Sequence, residues 1–229
     1  MLSISATDEW CNAHPGGLIG LLELSGIENT GTSSSLDIQK RETEVRLRER
    51  YHGFTRQDFL ALPVMSAYEK YYKSFDKTYH VLLQVESIVL KGKNLPNVLP
   101  LVDANFIAEV ETFVLTAGHD VAKLHERVYI DISREGDQMT QMNGTSKVIR
   151  AGDMVMKDAD GISCSIIYGQ DNRSPISAET SHVLYVAYAP AGVSEEVVDA
   201  QLQKIEANIR LFSPNVIVEQ HRLFKANAD

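Results

Sequence analysis

The chain changes texture once, near Gly118, and that change limits the folds open to it. Up to about residue 115, apolar residues recur at helical spacing. Beyond it they come in short runs divided by Glu135-Gly136-Asp137, Asn143-Gly144, Ala151-Gly152-Asp153 and Asp160-Gly161. Glycine after Asn or Asp tolerates the positive φ that type I′ hairpin turns require. Helices followed by antiparallel hairpins predict an α+β fold. We expect one domain over residues 1–229, helix-rich to about 115, strand-rich thereafter, with a C-terminal helix over 194–211.

The elements follow from local pattern. Leu18 to Ile27 is apolar enough, between glycines, to read as a buried strand. The biased stretch from Thr30 to Ser35 reads as an exposed loop, with Ser35 as N-cap of a polar helix to about Tyr51. Thr55 caps a short helix ending near Leu62-Pro63, where a second starts and runs towards Lys73. A helix from Tyr79 to Leu90 presents Val81, Leu82, Val85, Ile88 and Val89 on one face. Another, from about 98 to 114, carries Leu101, Val102, Phe106, Ile107 and Val110 inward. Strands are expected over Val128–Ile132, Met154–Met156, Ile162–Tyr168, Val183–Tyr188 and Val216–Val218.

A formal charge of −9 counts against an all-round basic, nucleic-acid-coating surface. The charge is uneven: the segment from Lys40 to Lys93 is +4 and the remainder −13. One positive face on an acidic body is compatible with salt-sensitive phosphate contacts, and equally with solvated helix faces. Cys11 and Cys164 form neither a disulfide framework nor a CxxC site. There is no apolar run long enough to span a membrane and no secretory leader, so a cytoplasmic location is expected.

No GxSxG elbow, P-loop, GxGxxG after a strand or HExxH occurs. His119 and His125 stand six apart across an expected loop, a poor spacing for metal ligands, so neither metal nor cofactor is expected. Cys164 reads as core. Three polar clusters remain. Lys91 to Val98 is followed by Leu101-Val102-Asp103-Ala104-Asn105-Phe106, where Asp103 and Asn105 project about 200° apart on a helix, so only one can face a given cavity. In the bland reading Asp103 pins a loop. Thr116-Ala117-Gly118-His119-Asp120 combines close backbone approach with a histidine that can exchange protons. Tyr168-Gly169-Gln170-Asp171-Asn172-Arg173 leads on to Thr180. On their own these support a small-molecule pocket only weakly, against an ordinary reading as polar connections.

At these clusters the sequence resembles the stand-alone relatives of the B3/4-type editing and tRNA-binding domain of the bacterial phenylalanyl-tRNA synthetase beta subunit. The resemblance runs from about Gly17 to Phe212. It rests on Lys91-Gly92-Lys93-Asn94-Leu95-Pro96, the Leu101–Phe106 stretch, Gly118-His119-Asp120, Glu135-Gly136-Asp137, Met142-Asn143-Gly144-Thr145, Asp153 with Asp158, and Glu179-Thr180. It implies a central, mostly antiparallel β-sandwich of unusual topology covered by helices. In the synthetase, tyrosine wrongly attached to tRNA is hydrolysed in that domain. By position, His119 matches the pocket histidine, Asn105 an asparagine of the preceding motif, and Gly169 with Gln170 a glycine-rich wall. The place of the family's tyrosine-reading glutamate is taken by Val186, which cannot accept a hydrogen bond from a phenol, so selection for tyrosine is not implied.

The resemblance implies a free-standing tRNA-editing-like protein that hydrolyses a mischarged aminoacyl ester, with His119 orienting water or the ribose hydroxyl. Asn105 and Gln170 then hold the amino acid, with Gly118, Gly169 and Val186 lining the wall. Arg46, Arg48, Arg50, Lys91 and Lys93 steer the tRNA end; no DNA specificity or membrane partner is expected, and the oligomeric state is open. The rival is a non-catalytic module that binds tRNA, an amino-acid-like ligand or a protein. A hydrolase built on His119 and Asp120 lacks a nucleophile.

Overall fold

The structure is a computed structural model describing residues 1–29, 31–125 and 127–226; Thr30, first residue of the expected loop, lies outside them. Two elements precede the first one expected. Ile4–Ala6 forms strand β1 and Asp8–Ala13 helix α1, whose N-cap Thr7 accepts a hydrogen bond from the Trp10 amide. Three residues carry no periodicity, and β1 exists by pairing in parallel with Val128–Ile132 far down the chain.

Leu18–Ser25 (β2) is buried along nearly its whole length, as its mainly apolar sequence predicts, with Glu23 buried among the leucines. The polar helix α2 (Ser34–Arg50) starts two residues earlier than expected, because Ser33 rather than Ser35 caps it, its hydroxyl accepting from Leu36 N at 3.2 Å. Helix α3 (Arg56–Leu60) has a reciprocal capping box between Thr55 and Asp58. Helices α4 (Pro63–Ser74) and α6 (Pro100–Thr112) both begin on proline, where a missing N–H costs nothing; α5 (His80–Val89) lies between them.

Thr116–Asp120 forms strand β3, where sequence predicted a loop. Its residues have poor strand propensity, and pairing with a later strand overrides that. There follow β4 (Val128–Ile132), β5 (Gln138–Thr140), β6 (Ser146–Val148), β7 (Met154–Asp158), β8 (Gly161–Ser165), β9 (Gly169–Gln170), β10 (His182–Ala189), α7 (Glu195–Arg210) and β11 (Ile217–Lys225). The last strand is three times the expected length and carries a bulge between Val218 and Gln220. Both hairpin turns differ from the two-residue Asn-Gly and Asp-Gly loops expected. Met142-Asn143-Gly144 is a three-residue loop with Gly144 at φ +80°, and Ala159-Asp160 joins β7 to β8 with Gly161 inside the strand at φ +115°.

The fold is α+β. One sheet has the order β1-β4-β7-β8-β9, antiparallel except for β1 against β4; a second, β11-β2-β10-β3, is antiparallel throughout; β5 and β6 form a small ribbon. Both larger sheets feed one apolar core, Met154, Met156 and Cys164 from the first joining Leu22, Leu24 and Tyr188 from the second. Helix α7 packs on β2 so closely that a Cβ at Gly20 would stand 2.7 Å from Val198 Cγ1, so only glycine fits there. Helix α6 lies against α7 and β3, and this seam positions the site.

Candidate functional site

Between α5, the first turns of α6, β3 and the β8–β9 turn lies a cavity of about 420 Å³. That is the size of a small-molecule site. Val98, Leu99, Val102, Phe106, Leu115, Ala117, Ile166 and Ile176 make its wall mainly apolar. Gly118 is part of it: a Cβ there would meet Ile176 Cδ1 at 2.7 Å and the Tyr185 ring at 3.0 Å. Tyr185 is in turn fixed by its hydroxyl, which donates to Leu101 O at 2.8 Å.

Of the expected site residues, Asn105, Gly118, Gly169 and Gln170 all line this cavity. Asn105 also holds the seam together: Nδ2 donates to Thr116 O at 2.9 Å, and Oδ1 accepts from Gln201 Nε2 at 3.3 Å. Gln201, from α7, donates to Thr116 Oγ1 as well. Gln170 gives its amide hydrogens to Gly118 O and Ser174 O, both at 2.9 Å, which fixes the orientation of its amide.

His119 and Val186 stand apart from the cavity wall. Each is fully buried, and neither is among the residues that line the cavity. Ser174 Oγ donates to Asp171 Oδ1 at 2.9 Å and lies 2.8 Å from His119 Nδ1. With the Gln170 hydrogens already committed, Nδ1 is the protonated nitrogen and donates to Ser174; Nε2 has no partner among the described residues. Burial, with the positive Arg173 nearby, pushes the imidazole down to about 3, so it is neutral at physiological pH. The expectation of a loop at His119 is corrected: it lies on β3, paired with Leu184 of β10, and is fully buried.

Sequence reasoning missed Glu109. It lies one helical turn beyond Asn105, is 2% exposed, and lines the cavity. Oε1 accepts from Thr116 N at 2.8 Å, and burial raises the carboxyl to about 8, so it carries its proton at neutral pH. Two further polar atoms on cavity-lining residues, Gln84 Oε1 and the Tyr188 hydroxyl, are buried without a hydrogen-bond partner among the described residues. The signal in sequence was the Asn105–Glu109 spacing of four on an otherwise apolar helix face.

Asp103 faces away from this group and pins a loop, as the bland reading held. Its Oδ2 lies 2.6 Å from the fully buried Lys40 Nζ, and its Oδ1 accepts from Val98 N. Lys40 also donates to Pro96 O and Asn97 Oδ1, while Glu44 Oε1 accepts from Leu95 N. The segment from Leu95 to Val98 is thereby held against α2, and its last residue, Val98, lines the cavity.

The expected basic residues lie elsewhere. Arg48 is bound to the backbone oxygens of Ile88 and Lys93 and to Asn94, and Arg46 pairs with Glu111 at 3.1 Å. Arg50, Lys91 and Lys93 are exposed. Lys91 and Lys93 follow the C-terminal end of α5, about 15 Å along the helix from His80, which lines the cavity. Lys77 and Lys147 lie 6.0 and 5.5 Å from the centre of the ring of Tyr168, which precedes the cavity-lining Gly169 in sequence. Cys164 is buried and its thiol pushed up to about 12, which removes it as a nucleophile. No cluster of metal-ligating side chains occurs among the described residues, and no described helix is long and apolar enough to cross a membrane.

The B3/4 domain family model matches residues 66–213, roughly two thirds of the chain. The chain belongs to the B3/4 domain family. The matched segment contains most of α4, all of α5 to α7 and every residue named above as lining the cavity. Among curated proteins, none matches the sequence. An N-terminal fragment of the phenylalanyl-tRNA synthetase beta-subunit from Pyrococcus horikoshii is similar at 8% identity with a TM-score of 0.48, over 97% of this chain and 50% of that one. This B3/4 protein thus spans half the length of that fragment.

Proposed function

We propose that this B3/4 protein binds the aminoacylated end of tRNA and hydrolyses a mischarged aminoacyl ester. The observation that carries the reading is the cavity: about 420 Å³, apolar-walled, with buried polar atoms unpartnered and Asn105, Gly118, Gly169 and Gln170 on its lining. Its volume suits an amino acid and not a strand of nucleic acid, so the tRNA body stays outside. Lys77, Lys147 and Tyr168 offer the terminal nucleotides charge and a ring to stack on.

An aminoacyl ester is already activated. Placing a water and stabilising the oxyanion with backbone N–H groups suffices without a protein nucleophile. His119 enters as a positioning residue: it holds Ser174, whose backbone oxygen helps fix Gln170. The ester substrate itself touches Gln170 and the walls at Gly118 and Gly169.

A non-catalytic binding module is the second reading, favoured by the burial of His119 and Val186 away from the cavity. A panel of mischarged tRNAs separates the two. Ester loss with at least one member, slowed by Gln170→Ala, supports hydrolysis; salt-sensitive binding of charged tRNA with no ester loss selects the module. Neither ester loss nor binding across the panel sinks both.

A further inference from the structure

We infer that Glu109 reads a primary ammonium group on an otherwise apolar ligand. The inference rests on the proposed use of the cavity as an amino-acid-sized site, and it names the chemistry that site selects. Phe106, Ile166 and Ile176 give the ligand an apolar bed, and neither lysine nor arginine lines the cavity. What the lining offers instead is oxygen. One carboxyl oxygen of Glu109 is bonded to Thr116 N; the other, which carries the proton while the group is neutral, becomes an acceptor once the group ionises. Gln84 Oε1 is buried and unpartnered. Gln170, whose amide nitrogen is committed to Gly118 O and Ser174 O, has only its oxygen left to offer.

A buried acceptor without a donor, as Gln84 Oε1 is among the described residues, is costly, so a ligand that supplies N–H groups is favoured. An ammonium supplies three donors and no acceptor. A carboxylate would meet no cation there; its donors would be the Tyr188 hydroxyl and the Glu109 proton, and it would keep Glu109 from ionising. In the empty cavity burial keeps Glu109 protonated, and a cation within a few ångströms favours its ionised form. Binding of an amine at neutral pH therefore releases a proton. The titratable groups around Glu109 do not blur this: Tyr68 and Tyr72 of α4 and Tyr79 ahead of α5 are buried with raised pKa values and stay neutral. His80 at the rim is held below its ordinary value by burial.

The experiment is calorimetric titration at pH 7 with 2-phenylethylamine, 3-phenylpropionate and 2-phenylethanol, in buffers of different ionisation enthalpy. We expect the amine to bind at least tenfold more tightly than the carboxylate, with release of close to one proton. Glu109→Gln should lose that preference and the proton release while keeping affinity for the alcohol. The ligand series on the native protein stands even if the variant misfolds. Absence of amine binding, equal affinity for the carboxylate, or an unchanged amine affinity in a folded Glu109→Gln protein overturns the inference. Aminoacyl-tRNA compared with its N-acetylated form separates this from the hydrolytic reading. Equal hydrolysis of both defeats ammonium recognition and leaves hydrolysis standing. Amine binding with no hydrolysis does the reverse.

Discussion

Glu109 accepts the backbone N–H of Thr116 at 2.8 Å, and its carboxyl group stands in the wall of a mainly apolar cavity. Asn105, one turn earlier, receives no such charge problem: it is neutral and ties the same residue, Thr116, from the carbonyl side. Helix α6 thus grips both backbone groups of one β3 residue, and the cavity opens beside that grip.

The carboxyl of Glu109 makes stability depend on pH. Its folded value, about 8, exceeds its ordinary 4.5, so the folded protein holds a proton that the unfolded chain has lost. Stability is then full below about pH 4.5 and falls as pH rises towards 8, by an amount on the order of a few kcal/mol. Denaturant melts from pH 5 to 9 should show this decline in the native protein and a flatter profile for Glu109→Gln. A decline of the same size in the variant would assign it to another group.

His119 acts in the opposite sense. It is neutral when folded, down to about pH 3, whereas the unfolded imidazole gains a proton below its ordinary 6.5. Stability from this group is present above 6.5 and is lost as pH falls from there towards 3. His119→Gln should weaken the acid sensitivity of the melting temperature in that window. An unchanged acid profile contradicts a neutral, buried imidazole.

Lys40 and Asp103 form a buried pair at 2.6 Å beneath the loop that edges the cavity. Lys40→Met leaves the carboxylate without its cation and should cost about 3–5 kcal/mol in unfolding free energy. The double variant Lys40→Met with Asp103→Leu should recover part of the loss, since no charge then remains buried. Recovery will be incomplete because Val98 N also loses its acceptor. A Lys40→Met cost below about 1 kcal/mol would mean that the pair is solvated.

Gly118 sets the depth of the cavity. A methyl group there presses on Ile176 Cδ1 and on the Tyr185 ring, and the ring is fixed by its bond to Leu101 O. Gly118→Ala should cost about 1–3 kcal/mol through overpacking and lower the affinity for any cavity ligand. Unaltered ligand affinity in a folded variant would show that ligands do not reach β3.

Much of this architecture was legible because its determinants are local. Helices α5 and α6 announce themselves by apolar spacing, α3 by its Thr55 cap, α4 by Pro63 at its start, and β2 and β10 by mainly apolar runs. What sequence did not reveal depends on distant partners. Strand β1 needs β4, and β3 needs β10, since Thr-Ala-Gly-His-Asp has no strand pattern of its own. The site divides in the same way. Helical geometry correctly separated Asp103 from Asn105, and the glycine and Gln170 cluster does reach the cavity. The histidine was misjudged because its burial comes from pairing with β10 and the cover of Ser174, neither readable from its neighbours. Glu109 was overlooked because a glutamate in a helix is ordinarily solvated, and only the packed seam of α6, α7 and β3 makes this one exceptional.

The most direct test of the cavity reading is a crystal structure with a non-hydrolysable aminoacyl end, 3′-deoxy-3′-(phenylalanylamino)adenosine. The account predicts the phenylalanyl side chain seated among Phe106, Val102 and Ile176, with the adenosine outside towards Tyr168. An analogue bound elsewhere on the protein, with that cavity left unfilled, would contradict it.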